Sequence, residues 1–103
     1  MTINIGNYKF NGPYDNIDSL IDRSGVYAIL CDNGGNKYFP VDVGEAGKVK
    51  ERVEKHDRKI CWSNSCTSML SVAVLYTPHL QQPGRMQIEQ EIRGQFNLPC
   101  GKR

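Results

Sequence analysis

Five side chains in this sequence combine a chemically active type with a telling position: Tyr27, Asp42, Arg52, His56 and Glu89. Arg52 and His56 are one helical turn apart beside the apolar pair Val49 and Val53, so both reach the same side of one helix. Glu89 falls at the margin of a face made by Ile88, Ile92 and Phe96, where a carboxylate can point along the surface into a cleft; Glu91 lies farther round toward solvent. Asp42 stands between Val41 and Val43, in a strand setting where aspartate is depleted. A guanidinium fork matches an oxyanion, a carboxylate can hold a divalent cation, and a phenol or imidazole can move a proton. Each residue also has a plainer use. Tyr27 can fill a half-buried strand face, Asp42 can sit on an exposed edge, and Arg52 and Glu89 can be solvated helix charges. His56 is favoured near a helix C-terminus by the macrodipole alone.

The elements that must position these groups follow in chain order. Residues 1–23 form a turn-rich start through Tyr14, punctuated by Asn11-Gly12-Pro13, and then a short helix. That helix is capped by Asp15 or Asn16 and turns Ile17, Leu20 and Ile21 inward. Residues 25–31 alternate as a strand, with Val26, Ala28 and Leu30 on one face and Tyr27, Ile29 and Cys31 on the other. Asp32-Asn33-Gly34-Gly35-Asn36 is a hairpin turn. The second strand, residues 38–43, turns Phe39, Val41 and Val43 to the core and Tyr38, Pro40 and Asp42 the other way. Pro40 cannot donate a ladder hydrogen bond, so this strand is predicted at an edge or bulged. A helix is predicted from Gly47 to His56 or Arg58, a third strand over residues 69–76, and a last helix over 85–96 after a break at Pro83-Gly84. This order of elements defines an α+β class.

The chain has 103 residues, 39% hydrophobic and 23% charged, the size and mixture of one globular domain. No apolar run approaches the roughly 18 residues a membrane span requires, and the first residues lack the pattern of a secretory leader, so a cytoplasmic setting is expected. The net charge of +2 is unevenly placed: residues 1–44 are net −2, while residues 45–60 and 81–103 are each net +2. Two basic segments flanking one surface would attract a polyanion in a salt-dependent way. In a reducing compartment Cys31, Cys61, Cys66 and Cys100 are expected as buried or half-buried free thiols. Cys61 and Cys66 with His56 offer a loose zinc spacing that lacks a second matching pair. Trp62 reads as a core lid, with stacking on a nucleobase as its functional alternative.

Ser24-Gly25-Val26-Tyr27-Ala28-Ile29 followed by Val41-Asp42-Val43-Gly44 resembles the two signature strands of the GIY-YIG nuclease family. Lys50-Glu51-Arg52-Val53-Glu54-Lys55-His56 is similar to that family's helix, with an arginine and then a histidine one turn on. Glu89 to Phe96, followed by Asn97-Leu98-Pro99, resembles the family's glutamate helix. The pieces span residues 24–101 in the family's order, within a single domain of residues 1–103.

The resemblance implies a three-stranded antiparallel sheet flanked by helices and metal-dependent hydrolysis of nucleic-acid phosphodiesters, with DNA favoured over RNA. Tyr27 would be the general base, assisted by His56 or Arg52; Arg52 would anchor phosphate and Glu89 would hold Mg²⁺ or Mn²⁺. Asp42 departs from the pattern, because the second signature carries a tyrosine there. It is expected either to join Glu89 at the metal or to repel phosphate, and Tyr38 is a weaker substitute for the missing phenol. The family's closing asparagine is also replaced, since Cys100 and Gly101 follow Pro99. Specificity would come from a homodimer or a partner protein. Two alternatives follow: a nucleic-acid-binding module weakened in catalysis, or a small structural domain using zinc.

Overall fold

The computed structural model describes residues 1–35 and 37–101. Five strands form one antiparallel sheet among these residues: β1 (Thr2–Ile5), β2 (Tyr8–Tyr14), β3 (Gly25–Asp32), β4 (Tyr38–Ala46) and β5 (Met69–Tyr76). Their spatial order is β1-β2-β5-β3-β4, so β3 is internal and β4 is an edge. Three helices accompany the sheet: α1 (Val49–Glu54), α2 (Lys59–Asn64) and α3 (Gln82–Gln95). The α+β class stands, and no helix among the described residues is long and apolar enough to cross a membrane.

The sheet has five strands where three were expected. The additional pair, β1 and β2, occupies the stretch read as turns. Its Asn11-Gly12-Pro13 punctuation lies inside β2, where the register against β5 shifts between Asn11 and Tyr14. Gly12 takes φ +115°, open to glycine at little cost, so the chain bulges and continues pairing. The short helix expected next is one 3₁₀ turn, Ile17–Ser19, closed by the Asn16 side chain accepting from the Asp18 N–H at 2.9 Å.

The β3–β4 hairpin forms where it is expected, with β4 running on to Ala46 where residue 43 was expected to end it. Asp32 Oδ1 accepts the Gly34 N–H at 2.7 Å, and Gly34 and Gly35 both have positive φ. Asn36, part of the expected turn, lies outside the described residues. Alternation fails on β4. Ile29 pairs with Asp42 and Leu30 with Pro40, leaving Val41 as the extra residue of a bulge, which agrees with the reading of Pro40. Val41, Asp42 and Val43 are consequently all buried, while Phe39 is exposed.

The sheet is covered on both faces. α3 sets Ile88 and Ile92 against Val26, Ala28, Leu30 and Val43. On the other face Val49, Val53 and Trp62 from α1 and α2 pack with Tyr27, Ile29 and Val41. α1 ends at Glu54, before the residues expected to extend it, and a separate helix α2 carries Trp62. α3 starts earlier than expected because Pro83 sits in its first turn, where a missing N–H costs little.

The cysteines correct the sequence reading. Cys31 pairs with Cys66 and Cys61 with Cys100, leaving no free thiol. A zinc site built on Cys61, Cys66 and His56 is therefore ruled out in this structure, since its two sulfurs belong to different disulfides.

Candidate active site

Strand β3 aims Tyr27 at the face covered by α1 and α2, and its register partner on β4 is Gly44. The phenol lies directly over that glycine: a Cβ at position 44 would stand 2.2 Å from the Tyr27 hydroxyl oxygen. Only a residue without a side chain leaves room for this ring.

The Tyr27 oxygen meets His56 Nε2 at 2.7 Å. His56 follows α1 and is buried, with its ring tilted on Trp62 at a centroid distance of 4.6 Å. Its other nitrogen, Nδ1, accepts the backbone N–H of Arg58 at 3.0 Å. A neutral imidazole that accepts at Nδ1 carries its hydrogen on Nε2, so His56 donates to the Tyr27 oxygen. Burial, reinforced by the charges of Arg52 and Arg58, lowers the His56 pKa to about 4. The ring is thus neutral at pH 7, and its 3.3 Å approach to Asp57 is no ion pair there.

Burial also dominates at Tyr27 and pushes its pKa up to about 12; Asp42 adds to the rise, while Arg52 and Arg58 oppose it. Arg52 lies close enough to act on both Tyr27 and His56, with a side chain 41% exposed and held by Asp57 at 3.1 Å. Beside it is a depression of about 340 Å³ lined by Ala46, Lys48, Glu51, Arg52 and Lys55.

Asp42 is fully buried and occupied from every side. Its Oδ1 accepts the Val43 N–H at 2.9 Å and Arg93 Nη2 at 2.6 Å, with Arg58 Nη2 at 3.4 Å. Its Oδ2 accepts Arg58 Nε and Trp62 Nε1, each at 2.8 Å. A carboxylate offers about four lone-pair positions, so none remains for a metal ion. The structure gives Asp42 the work of a hub joining β4, α2 and α3.

Glu89 is on α3, across the sheet from the ring of Tyr27. Its Oε2 accepts Arg93 Nε at 3.1 Å, and it reaches the other residues through Arg93 and Asp42 around the β4 edge. The structure therefore gathers Tyr27, His56 and Arg52 into one cluster, joins Asp42 to it through Trp62 and Arg58, and leaves Glu89 at the far end of the relay. Tyr38 does not substitute for the missing phenol: it lies at the hairpin end and packs toward the α3 face.

The sequence reading missed Arg58 and Arg93. The signal available for them was Asp42 itself, because a carboxylate in an apolar strand needs a buried cation. The end of the chain seals this network. Cys100 N–H donates to Val41 at 3.1 Å, Arg93 Nη1 donates to Cys100 O at 3.1 Å, and Gly101 has φ +82° against the Arg93 guanidinium.

Glu89 offers one carboxylate oxygen to a cation. Its Oε1 has no hydrogen-bond partner among the described residues, and its side chain is 17% exposed. One carboxylate with a free oxygen suits Mg²⁺, which keeps several waters and takes substrate oxygens as further ligands. No group of three or more His, Cys, Asp or Glu that could hold a metal occurs among the described residues, so an all-protein cage is not the arrangement.

Compared with known proteins, the chain matches no family model, no curated protein and no solved structure.

Proposed function

We propose that this chain is a metal-dependent endonuclease, hydrolysing phosphodiester bonds of nucleic acid with DNA as the favoured substrate. The observation that supports it is the Tyr27–His56 hydrogen bond at 2.7 Å, with Arg52 and Arg58 close enough to act on the same phenol. An arginine fork neutralises the non-bridging oxygens of the phosphate, which is the part given to Arg52. Tyr27, as phenolate, takes the proton of the attacking water as the water oxygen bonds to phosphorus. The bond from phosphorus to the departing oxygen breaks, and that oxygen, leaving as alkoxide, takes a proton from solvent. At a pKa of about 12 only about one phenol in 10⁵ is ionised at pH 7, so the donors around its oxygen matter. His56 Nε2–H and the Arg52 charge both favour the phenolate. Glu89 would hold Mg²⁺ or Mn²⁺ at the β4 edge, joined to the Tyr27 cluster through Arg93 and Asp42. The substrate phosphate must span that edge for the cation to offset charge on the departing oxygen.

Cleavage of plasmid or oligonucleotide DNA with Mg²⁺ tests the reading. Arg52→Ala and Glu89→Ala are each expected to lower the rate at least 100-fold. Cleavage without metal, or cleavage indifferent to both substitutions, overturns it.

A nucleic-acid-binding module without turnover is the second reading. Asp42 stands where the signature has tyrosine and Glu89 is already paired with Arg93, and both facts favour it. It expects salt-sensitive DNA binding by a chain that never cleaves. Asp42→Tyr is a poor discriminator, because it would leave Arg58 and Arg93 without their shared partner. A homodimer or a partner protein supplying specificity belongs to both readings. The cytoplasmic setting expected from the sequence sits poorly with two disulfides, because reducing pools keep thiols free.

A further inference from the structure

We infer that Arg58 is a second phosphate-binding guanidinium of this site, held in place by Asp42 and partly exposed to solvent. The inference rests on the proposed nuclease reading and extends its substrate contacts to a residue outside the family resemblance.

Asp42 touches Arg58 at Nε and Nη2, at 2.8 and 3.4 Å, and Nη1 has no hydrogen-bond partner among the described residues. The two arginines on Asp42 differ sharply in setting: Arg93 is 3% exposed and Arg58 is 31% exposed. Arg93 is enclosed and also bonds Val43 O and Cys100 O, so it serves the fold. Arg58 adds a second positive charge in front of a carboxylate that already has one buried partner.

Strand geometry places it near the phenol. Asp42 and Gly44 are two residues apart, about 7 Å along β4, and the Tyr27 oxygen lies over Gly44. The backbone N–H of Arg58 also holds His56 Nδ1, so the residue that offers the guanidinium sets the hydrogen bond received by Tyr27. A guanidinium gripped by a carboxylate along one edge keeps its remaining N–H groups in a fixed plane, a geometry that suits phosphate oxygens. Aspartate at the signature tyrosine position then acquires a use: it aims an arginine delivered from the start of α2.

The test is binding of a fluorescent single-stranded DNA oligonucleotide to the full chain in EDTA, over a range of salt, beside a separate Mg²⁺ cleavage assay. Arg58→Gln is expected to raise Kd about 10-fold at low salt and to reduce the slope of log K against log salt by roughly 0.7. Lys9→Gln, on the exposed side of β2, is expected to change neither. Arg58→Lys keeps a charge for Asp42 but loses the fork, and is expected to weaken binding about threefold with the slope retained. It decides the matter if Arg58→Gln does not fold. Unchanged affinity in the folded Arg58 variants overturns the inference and leaves the nuclease reading standing if the parent cleaves. A reduced slope in Arg58→Gln, or threefold weaker binding in Arg58→Lys, with no cleavage by the parent supports Arg58 and removes the nuclease reading. A parent that binds no DNA removes both.

Discussion

Gly44→Ala is the sharpest test of how the site is built. The new methyl carbon would stand 2.2 Å from Tyr27 Oη, 2.4 Å from Cζ and 2.9 Å from Cε2. Ordinary carbon contacts begin near 3.5 Å, so the ring must withdraw by more than about 1 Å. Moving it breaks the 2.7 Å bond to His56 and leaves a buried imidazole N–H without an acceptor. Overpacking of this kind costs about 1–3 kcal/mol, and an unsatisfied buried donor about 1–3 kcal/mol more. Replacing glycine in a strand returns about 0.5–1 kcal/mol. The balance is about 3 kcal/mol of lost stability, which for a domain of this size lowers Tm by roughly 12–24 °C. Thermal melting of the single variants and of Gly44→Ala combined with Tyr27→Leu measures the coupling. Leucine is too short to reach the new methyl, so the alanine should cost little in that background. A Gly44→Ala protein melting within about 2 °C of the parent, with additive behaviour in the cycle, would refute the placement of Tyr27 over Gly44.

Three other perturbations probe the same network. Between pH 6.5 and 4 the unfolded chain binds a proton at His56 that the folded chain refuses, so stability should fall as pH drops through that window, by about 3 kcal/mol. Urea titrations of the parent and His56→Gln check this, and equal pH slopes would contradict a buried neutral His56. Asp42→Asn removes the charge shared by Arg58 and Arg93 and is expected to cost about 3–5 kcal/mol, read as a shift in the urea midpoint without loss of m-value. Reducing the disulfides, whose cysteines are 35 and 39 residues apart, should cost about 4 kcal/mol each on the chain-entropy account. Melting with and without dithiothreitol, beside thiol titration, tests that; four titratable thiols in the folded, unreduced protein would contradict the pairing.

What could be read from the sequence was whatever local pattern controls. The hairpin was legible because alternation along β3 meets an Asn-Gly-Gly turn, although β4 runs on to Ala46 where residue 43 was expected to end it. α1 was legible because Val49 and Val53 share a face. β1 and β2 were hidden because β1 has four residues and β2 contains glycine and proline, which signal a break unless a bulge absorbs them. α2 has six residues with only Trp62 buried, too few for a helical period. On β4 the bulge at Val41 puts three successive residues inside, so alternation assigned Phe39 to the core when it is exposed. Of the candidate site, the sequence located Tyr27, Arg52 and His56 as neighbours through spacing and family resemblance. It could not find Arg58 or Arg93, because arginine is ordinarily a surface residue and only tertiary structure brings them to Asp42. Cysteine pairing was equally beyond reach, since spacing does not determine connectivity.

The ion cluster at Asp42 needs a reason beyond stability. Desolvating a carboxylate and two guanidiniums is costly, and apolar residues of similar volume commonly hold such a position as well or better. A cluster serving only to close the sheet edge would need one buried arginine, and Arg93 fills that part with bonds to Asp42, Val43 O and Cys100 O. Arg58 is surplus to that requirement and remains partly open. Its backbone fixes the tautomer of His56, and its charge works with that of Arg52 against the burial that keeps Tyr27 protonated. The fold thus holds a phenol in a buried setting that opposes its ionisation while surrounding it with groups that favour the ionised form. That opposition is what the proposed reading calls for, whereas a strand face serving only the core would have packed as well with phenylalanine.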